Sequence, residues 1–304
     1  MTPKISVNIG KLKLKNPVMV ASGTFGYAEE FRDFLDLKSL GAIVTKTITL
    51  KPRQGNPAPR TCETPSGMLN SIGLENPGVD NFIRDKLPQL LKIGTPIIVS
   101  IASEGNPEEF LKLTRRLENI SEIQALELNI SCPNLKKKSL ISQDREATYS
   151  VVNGVRKLTK KTIITKLSPN VTDITEIALA AESAGSDAVS LVNTLTGMSI
   201  NTQTKLPKIA SVTGGLSGPA IRPVAVRMCW EVAQKINIPI IGMGGIIDTP
   251  SAVEFFLAGA SSIAIGTANF INPAIAAEII SGLKEYLKKN KIKSIKSLSG
   301  GIKI

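Results

Sequence analysis

The sequence contains no histidine. That absence removes Ser-His-Asp triads, imidazole general bases and most catalytic zinc sites at once. Any proton transfer falls to Cys, Lys, Asp, Glu or Tyr. Cysteine is scarce too: Cys62, Cys132 and Cys229 cannot all pair within one chain. A chain of 304 residues buries enough core to fold without staples, so reduced thiols and no resident metal are expected. No run approaches the ~18 uninterrupted apolar residues of a membrane span. The opening MTPKISVNIGKLKLKNPV alternates polar and apolar residues where a signal peptide would have an apolar core. A cytoplasmic protein, with no membrane partner, is expected. Aromatics are only 4%, thin for base-stacking platforms. The net charge of +12 suggests nucleic acid, but stretches such as KEYLKKNKIKSIK (284–296) read better as solvated helix faces. No nucleic-acid partner is expected.

What is present is alternation. Short apolar, β-branched runs occur at 17–22, 41–47, 96–101, 125–131, 162–168, 187–193, 238–244 and 261–267. Helix-periodic segments lie between them, as at 106–120, 172–185 and 220–235. Continuously apolar strands are those covered on both faces. Eight strand–helix units closing right-handed predict an α/β fold, a (β/α)8 TIM barrel, over 1–304 as one domain. An open doubly wound sheet is the alternative, but no Gly-rich dinucleotide fingerprint follows the first strand. ISVNIGKLKLK (5–15) predicts a small N-terminal β-hairpin on the barrel floor.

Barrel sites lie at the C-terminal ends of the strands. Those ends carry Ser22, Lys46, Ser100, Asn129 with Cys132, Lys166, Asn193 with Thr194, Gly244 with Gly245, and Gly266 with Thr267. One strand-end lysine is ordinarily a solvated rim residue. Two lysines, two asparagines and a cysteine converging on one mouth point to a site. Glycines closing the last two strands let backbone N–H groups approach an anion, so a phosphate-bearing ligand is expected there.

Six ordered motifs then resemble one family. GAIVTKTITLKPRQGNPAPR (41–60), NSIGLENPG (70–78), LNISCPN (128–134), NTLTGM (193–198), TGGLSGPAIRPVAVR (213–227) and IPIIGMGGI (238–246) resemble dihydroorotate dehydrogenase, nearly end to end. PVMVASGTFGYAEEF (17–31), TGGLSGPA and the cysteine look like the catalytic chain of the NAD-linked, two-subunit class 1 type. The resemblance implies FMN, one per chain, and oxidation of dihydroorotate to orotate in pyrimidine synthesis. It also implies a homodimer, joined in a heterotetramer to an iron–sulfur flavoprotein subunit that carries FAD and passes electrons to NAD.

By the same resemblance, Cys132 is the general base that takes the C5 proton of the substrate. A free thiol near pKa ~8.5 leaves a usable thiolate fraction at neutral pH. Asn70, Asn129, Asn193 and Thr194 bind the pyrimidine edge and carboxylate, with Ser71, Ile72, Gly73 and Leu74 supplying backbone groups. Lys46 touches both flavin and substrate, and Lys166 sits beside the flavin N1–O2 edge. Ser22, Thr47, Ser100, Asn129, Val192, Gly218, Gly244, Gly245, Gly266 and Thr267 complete the flavin contacts. Cys229 reads as core filler and Cys62 as an idle thiol near Asn70.

Three positions depart from the family pattern. Ser100 stands where the family usually shows asparagine, and Ser103 near a usual glycine. LKKKSLISQD (135–144) replaces a glycine-bearing loop that would act as the lid over the site. Two other flavin barrels share much of this pattern. A homodimeric class 1 form reduces fumarate and differs in electron acceptor. A form resembling dihydrouridine synthase acts on RNA and would bring an RNA-binding domain, which the residues after Thr267 do not suggest. A non-catalytic phosphate-ligand barrel leaves the strand-end lysines and Cys132 unexplained.

Overall fold

The computed structural model describes residues 3–131 and 141–303. Eight parallel strands close in chain order: Val18–Val20, Ala42–Val44, Ile97–Ile101, Ala125–Asn129, Thr162–Lys166, Ala188–Leu191, Ile240–Gly242 and Ser262–Ile265. The eighth pairs with the first, Ile263 opposite Val18. This is a (β/α)8 barrel, and each strand lies inside one of the eight apolar runs.

Strand alternation divides the apolar side chains into two clusters. Ile97, Val99, Ile101, Leu126 and Leu128 face outward to the helices. Met19, Ile98, Ala125, Ile164 and Ile241 face inward. An antiparallel hairpin, Val7–Ile9 with Leu12–Leu14, inserts Ile9, Leu12 and Leu14 into that inner cluster and closes the floor. Two residues further up the strands the same parity brings Ser100, Glu127, Lys166 and Ser190 inward. The barrel is apolar at its base and polar at its top.

Helices Glu108–Glu118, Ile174–Ser183 and Arg222–Ala233 lie inside the predicted segments. Asp144, Asp173 and Asp248 cap the helices that follow them, each accepting a backbone N–H of the first turn. The first strand departs from the strand–helix pattern. Two 3-10 turns, Glu29–Phe31 and Leu37–Ser39, follow it. Phe25 stacks on Phe31 at 3.9 Å there, and helix Ile275–Lys289 packs against the first strand. Among the described residues, no helix is long and apolar enough to cross a membrane.

One element was not expected. Strands Leu195–Met198, Thr213–Ser217, Gly67–Asn70 and Thr61–Thr64 form a four-stranded antiparallel sheet, in that order. Its strands come from the long loops after the second and sixth barrel strands. They meet through pairs such as Gly215 with Asn70.

Candidate active site

A cavity of about 940 Å³ opens at the C-terminal ends of the barrel strands, with the antiparallel sheet as one wall. That volume suits a ligand of cofactor size. It is lined by Ser22, Lys46, Thr47, Asn129, Lys166, Val192, Gly218, Gly244, Gly245, Gly266 and Thr267, and by Asn70 to Leu74, Asn193 and Thr194. The structure therefore brings together all but two of the residues predicted from sequence. Cys132 lies outside the described residues, as do 133–140 of the lid loop. Ser100 is the other. It is fully buried and does not line the cavity. Its hydroxyl is engaged with Thr47 at 2.9 Å and Glu127 at 3.0 Å, so it stands behind the wall as a support. A separate cleft of about 540 Å³ around Arg145, Asn170 and Asp173 holds none of the predicted residues.

One end of the cavity presents free backbone donors. Among the described residues, the amide N–H groups of Gly244, Gly245, Gly266 and Thr267 find no protein acceptor. Four unpaired donors at the ends of two adjacent strands are the kind of group that could hold an anion such as phosphate. Gly245 has φ +77°, and a Cβ there would come within 2.7 Å of Arg222 Cβ and 2.8 Å of the Gly218 carbonyl. Only glycine keeps this turn open. Thr267 Oγ1 donates to Ser217 Oγ at 2.8 Å, tying this end to the antiparallel sheet.

Lys166 forms the middle of the cavity floor. It is 5% exposed, donates to Ser22 Oγ at 3.3 Å and lies 3.8 Å from a carboxylate oxygen of Glu127. Glu127 is 1% exposed and was not predicted as a site residue. Strand parity was the signal that could have found it. If Asn129 points into the barrel, so does the residue two before it.

Two asparagines face each other at the other end. Asn193 Nδ2 donates to Ser131 Oγ at 2.7 Å, and Ser131 Oγ donates to Asn129 Oδ1 at 3.0 Å. Thr194 N–H donates to Asn193 Oδ1 at 2.9 Å. Asn170 clamps the following backbone, accepting from Thr196 N–H and donating to the Thr194 carbonyl. The stretch from Asn70 to Leu74 is held by the loop before it. Asn56 N–H donates to the Ile72 carbonyl at 3.0 Å, Asn56 Nδ2 donates to Ser71 Oγ at 2.7 Å, and Arg60 pairs with Glu75 at 2.5 Å. Gly73, at φ +77°, is required there because a Cβ would meet Asn56 N at 2.6 Å.

The remaining cysteines stand apart. Cys229 is fully buried, and burial pushes its thiol up to about 12, so it is core filler and chemically inert. Cys62 is half-buried on the outermost strand of the antiparallel sheet, opposite Leu69, and does not line the cavity.

Free backbone donors, a buried lysine and two asparagines stand together on the barrel mouth, where the motifs put them. A family model described as dihydroorotate dehydrogenase matches residues 4–287. The chain belongs to the dihydroorotate dehydrogenase family. It is 53% identical over 303 residues to a protein of Trichlorobacter lovleyi named dihydroorotate dehydrogenase B (NAD(+)), catalytic subunit, covering 99% of both chains. Proteins of the same name in Geotalea daltonii and Bacteroides thetaiotaomicron are 52% and 51% identical, again over 99% of each chain. The family relationship thus spans the barrel, the antiparallel sheet and every lining segment of the cavity.

Proposed function

We propose that this chain oxidises dihydroorotate to orotate with FMN as its cofactor, in the cytoplasm, as one subunit of an NAD-linked enzyme of pyrimidine synthesis. The observation that carries the reading is the single cavity that joins four unpaired amide donors, the buried Lys166 and the asparagine pair. These residues fit FMN. The glycine cradle takes the phosphate, and Lys166 offers a fixed cation to the ring edge where reduction places negative charge. When bound, FMN supplies the acceptor for the hydride that leaves substrate C6.

The chain's own residues do the rest. Asn129 and Asn193 present amide donors and acceptors to the pyrimidine edge, and Asn70 and Thr194 to the remaining polar atoms. The backbone from Ser71 to Leu74, fixed by Asn56 and Arg60, limits how the ring can lie. Cys132, directly after Ser131, takes the C5 proton as its thiolate. Lys46 bridges the flavin and substrate halves of the cavity. The word "subunit" in the relatives' names supports a partner that accepts the electrons. A homodimer joined to an iron–sulfur flavoprotein bearing FAD fits that name.

Purified chain is expected to be yellow with one FMN per polypeptide, and dihydroorotate under anaerobic conditions should bleach it. A colourless chain that takes up no added FMN would refute the reading. Reoxidation should be slow with NAD or fumarate alone and become fast with NAD once the partner subunit is added. Rapid fumarate reduction by the isolated chain would assign it to the homodimeric form.

Gly245→Ala is expected to weaken FMN binding by at least tenfold, measured by quenching of flavin fluorescence on titration into apoprotein. The added methyl forces the turn to shift, and a non-glycine residue at positive φ costs about 1 kcal/mol or more. An FMN affinity equal to the parent's would remove the cradle from this end of the cavity.

A further inference from the structure

The carboxylate of Glu127 lies in the layer of barrel side chains just beneath the cavity floor, and nothing in the reaction requires a base there. It accepts from Ser100 Oγ at 3.0 Å and from Ser190 Oγ at 3.2 Å, with Lys166 Nζ 3.8 Å away. A carboxylate has no proton to give, so both hydroxyls must donate to it. That fixes the direction of every hydrogen bond behind it.

Ser100 has one hydroxyl proton, and it is spent on Glu127. In the 2.9 Å contact between Ser100 and Thr47, Thr47 is therefore the donor. Thr47 Oγ1 in turn accepts from Asn129 Nδ2 at 3.3 Å. With its amino group turned to Thr47, Asn129 presents Oδ1 to Ser131, and Ser131 Oγ accepts from Asn193 Nδ2. The two ends of an asparagine amide have nearly the same shape, and only such a network distinguishes them. Every proton in the chain Asn193–Ser131–Asn129–Thr47–Ser100 points towards Glu127. The same carboxylate is the counter-charge of the cation on the cavity floor.

We propose that Glu127 is a positioning residue for this site. Through Ser100 and Thr47 it fixes which end of the Asn129 amide faces the ligand, Asn193 being oriented by the Thr194 N–H, and through Lys166 it limits the positive field felt by the flavin. The proposal rests on the functional reading above and deepens it. Ser100, which looks like a lost flavin contact, becomes the link that joins the carboxylate to the amides.

A Glu127→Gln change alters one atom and removes both effects. The amide can donate or accept towards either serine, so the direction of the Ser100–Thr47–Asn129 segment is no longer imposed by a carboxylate, and Lys166 loses its counter-charge. With one FMN still bound, the variant is expected to bind orotate at least tenfold more weakly, read from the ligand-induced shift of the flavin spectrum. The unopposed cation should stabilise the reduced flavin relative to the oxidised one by at least tenfold, which is about 30 mV upward for a two-electron couple. A buried carboxylate that served stability alone would change the unfolding midpoint and leave the potential and the orotate affinity at parent values. That result overturns the proposal.

Ser100→Ala separates the two arms and serves if the glutamine variant does not fold. It cuts the chain between Glu127 and Thr47 but leaves the ion pair intact. Orotate binding should weaken while the flavin potential stays at the parent value. Parent-like orotate affinity in this variant would likewise overturn the proposal. Failure of the parent protein itself to bind FMN and orotate would instead refute the functional reading.

Discussion

Cys132→Ala is expected to bind FMN as the parent does while its reduction by dihydroorotate slows by ~10²–10⁴-fold, the range for loss of a general base. None of the cavity-lining residues that would hold the flavin is altered. The sequence offers no imidazole as a substitute base, since the chain has no histidine. Cys132→Ser should be nearly as slow near pH 7, because an unassisted hydroxyl is a far weaker base than a thiolate, and its rate should keep climbing with pH. The parent's reductive rate should rise and level off once the thiol has ionised. Stopped-flow bleaching of the three proteins from pH 6 to pH 10 is the measurement. Near-parental reduction by Cys132→Ala would remove the thiol from the mechanism.

Lys166→Ala should damage both stability and flavin reduction. Its ammonium and the Glu127 carboxylate are both buried, 3.8 Å apart. Deleting one partner of such a pair leaves the other charge without compensation, at a cost of about 3–5 kcal/mol. It would also remove the buried one of the two cavity lysines from beside the proposed flavin. Lys288→Ala, on the exposed face of helix Ile275–Lys289, should change stability by no more than about 0.5 kcal/mol and leave flavin reduction unchanged. A double change, Lys166→Met with Glu127→Gln, separates the two effects. It should regain most of the lost stability, because no buried charge is left unpaired, yet still reduce its flavin slowly. Urea unfolding and anaerobic stopped-flow decide it. Recovery of flavin reduction in the double variant would mean that Lys166 contributes to folding and not to the chemistry.

The sequence by itself determined the barrel. Strands covered by helices outside and packed side chains inside have no solvent face, so PIIVSI had to read as a nearly continuous apolar run. The same local logic exposed the strand-end lysines and asparagines, because a polar residue closing a buried strand is visible without knowing its neighbours. Gly244 and Gly245, which the sequence singled out, both adopt positive φ, a conformation that glycine takes without strain. Periodicity did not report the two 3-10 turns after the first strand, nor that a helix from the far end of the chain, Ile275–Lys289, packs against that strand.

Tertiary structure alone decided the pairings between residues remote in the chain. The antiparallel wall joins Gly67–Asn70 to Thr213–Ser217, segments whose strand signals are weakened by glycine and whose partners lie about 145 positions away. The fate of Ser100 was equally hidden, since its sequence position matches a flavin contact and only the closed barrel brings Glu127 and Thr47 within reach of its hydroxyl. Glu127 lay between the two. Strand parity sends it into the barrel, but only closure of the sheet places Ser100, Ser190 and Lys166 around it from three other strands. A strand's own residues dictate which way a side chain points, and the strands beside it dictate what that side chain meets.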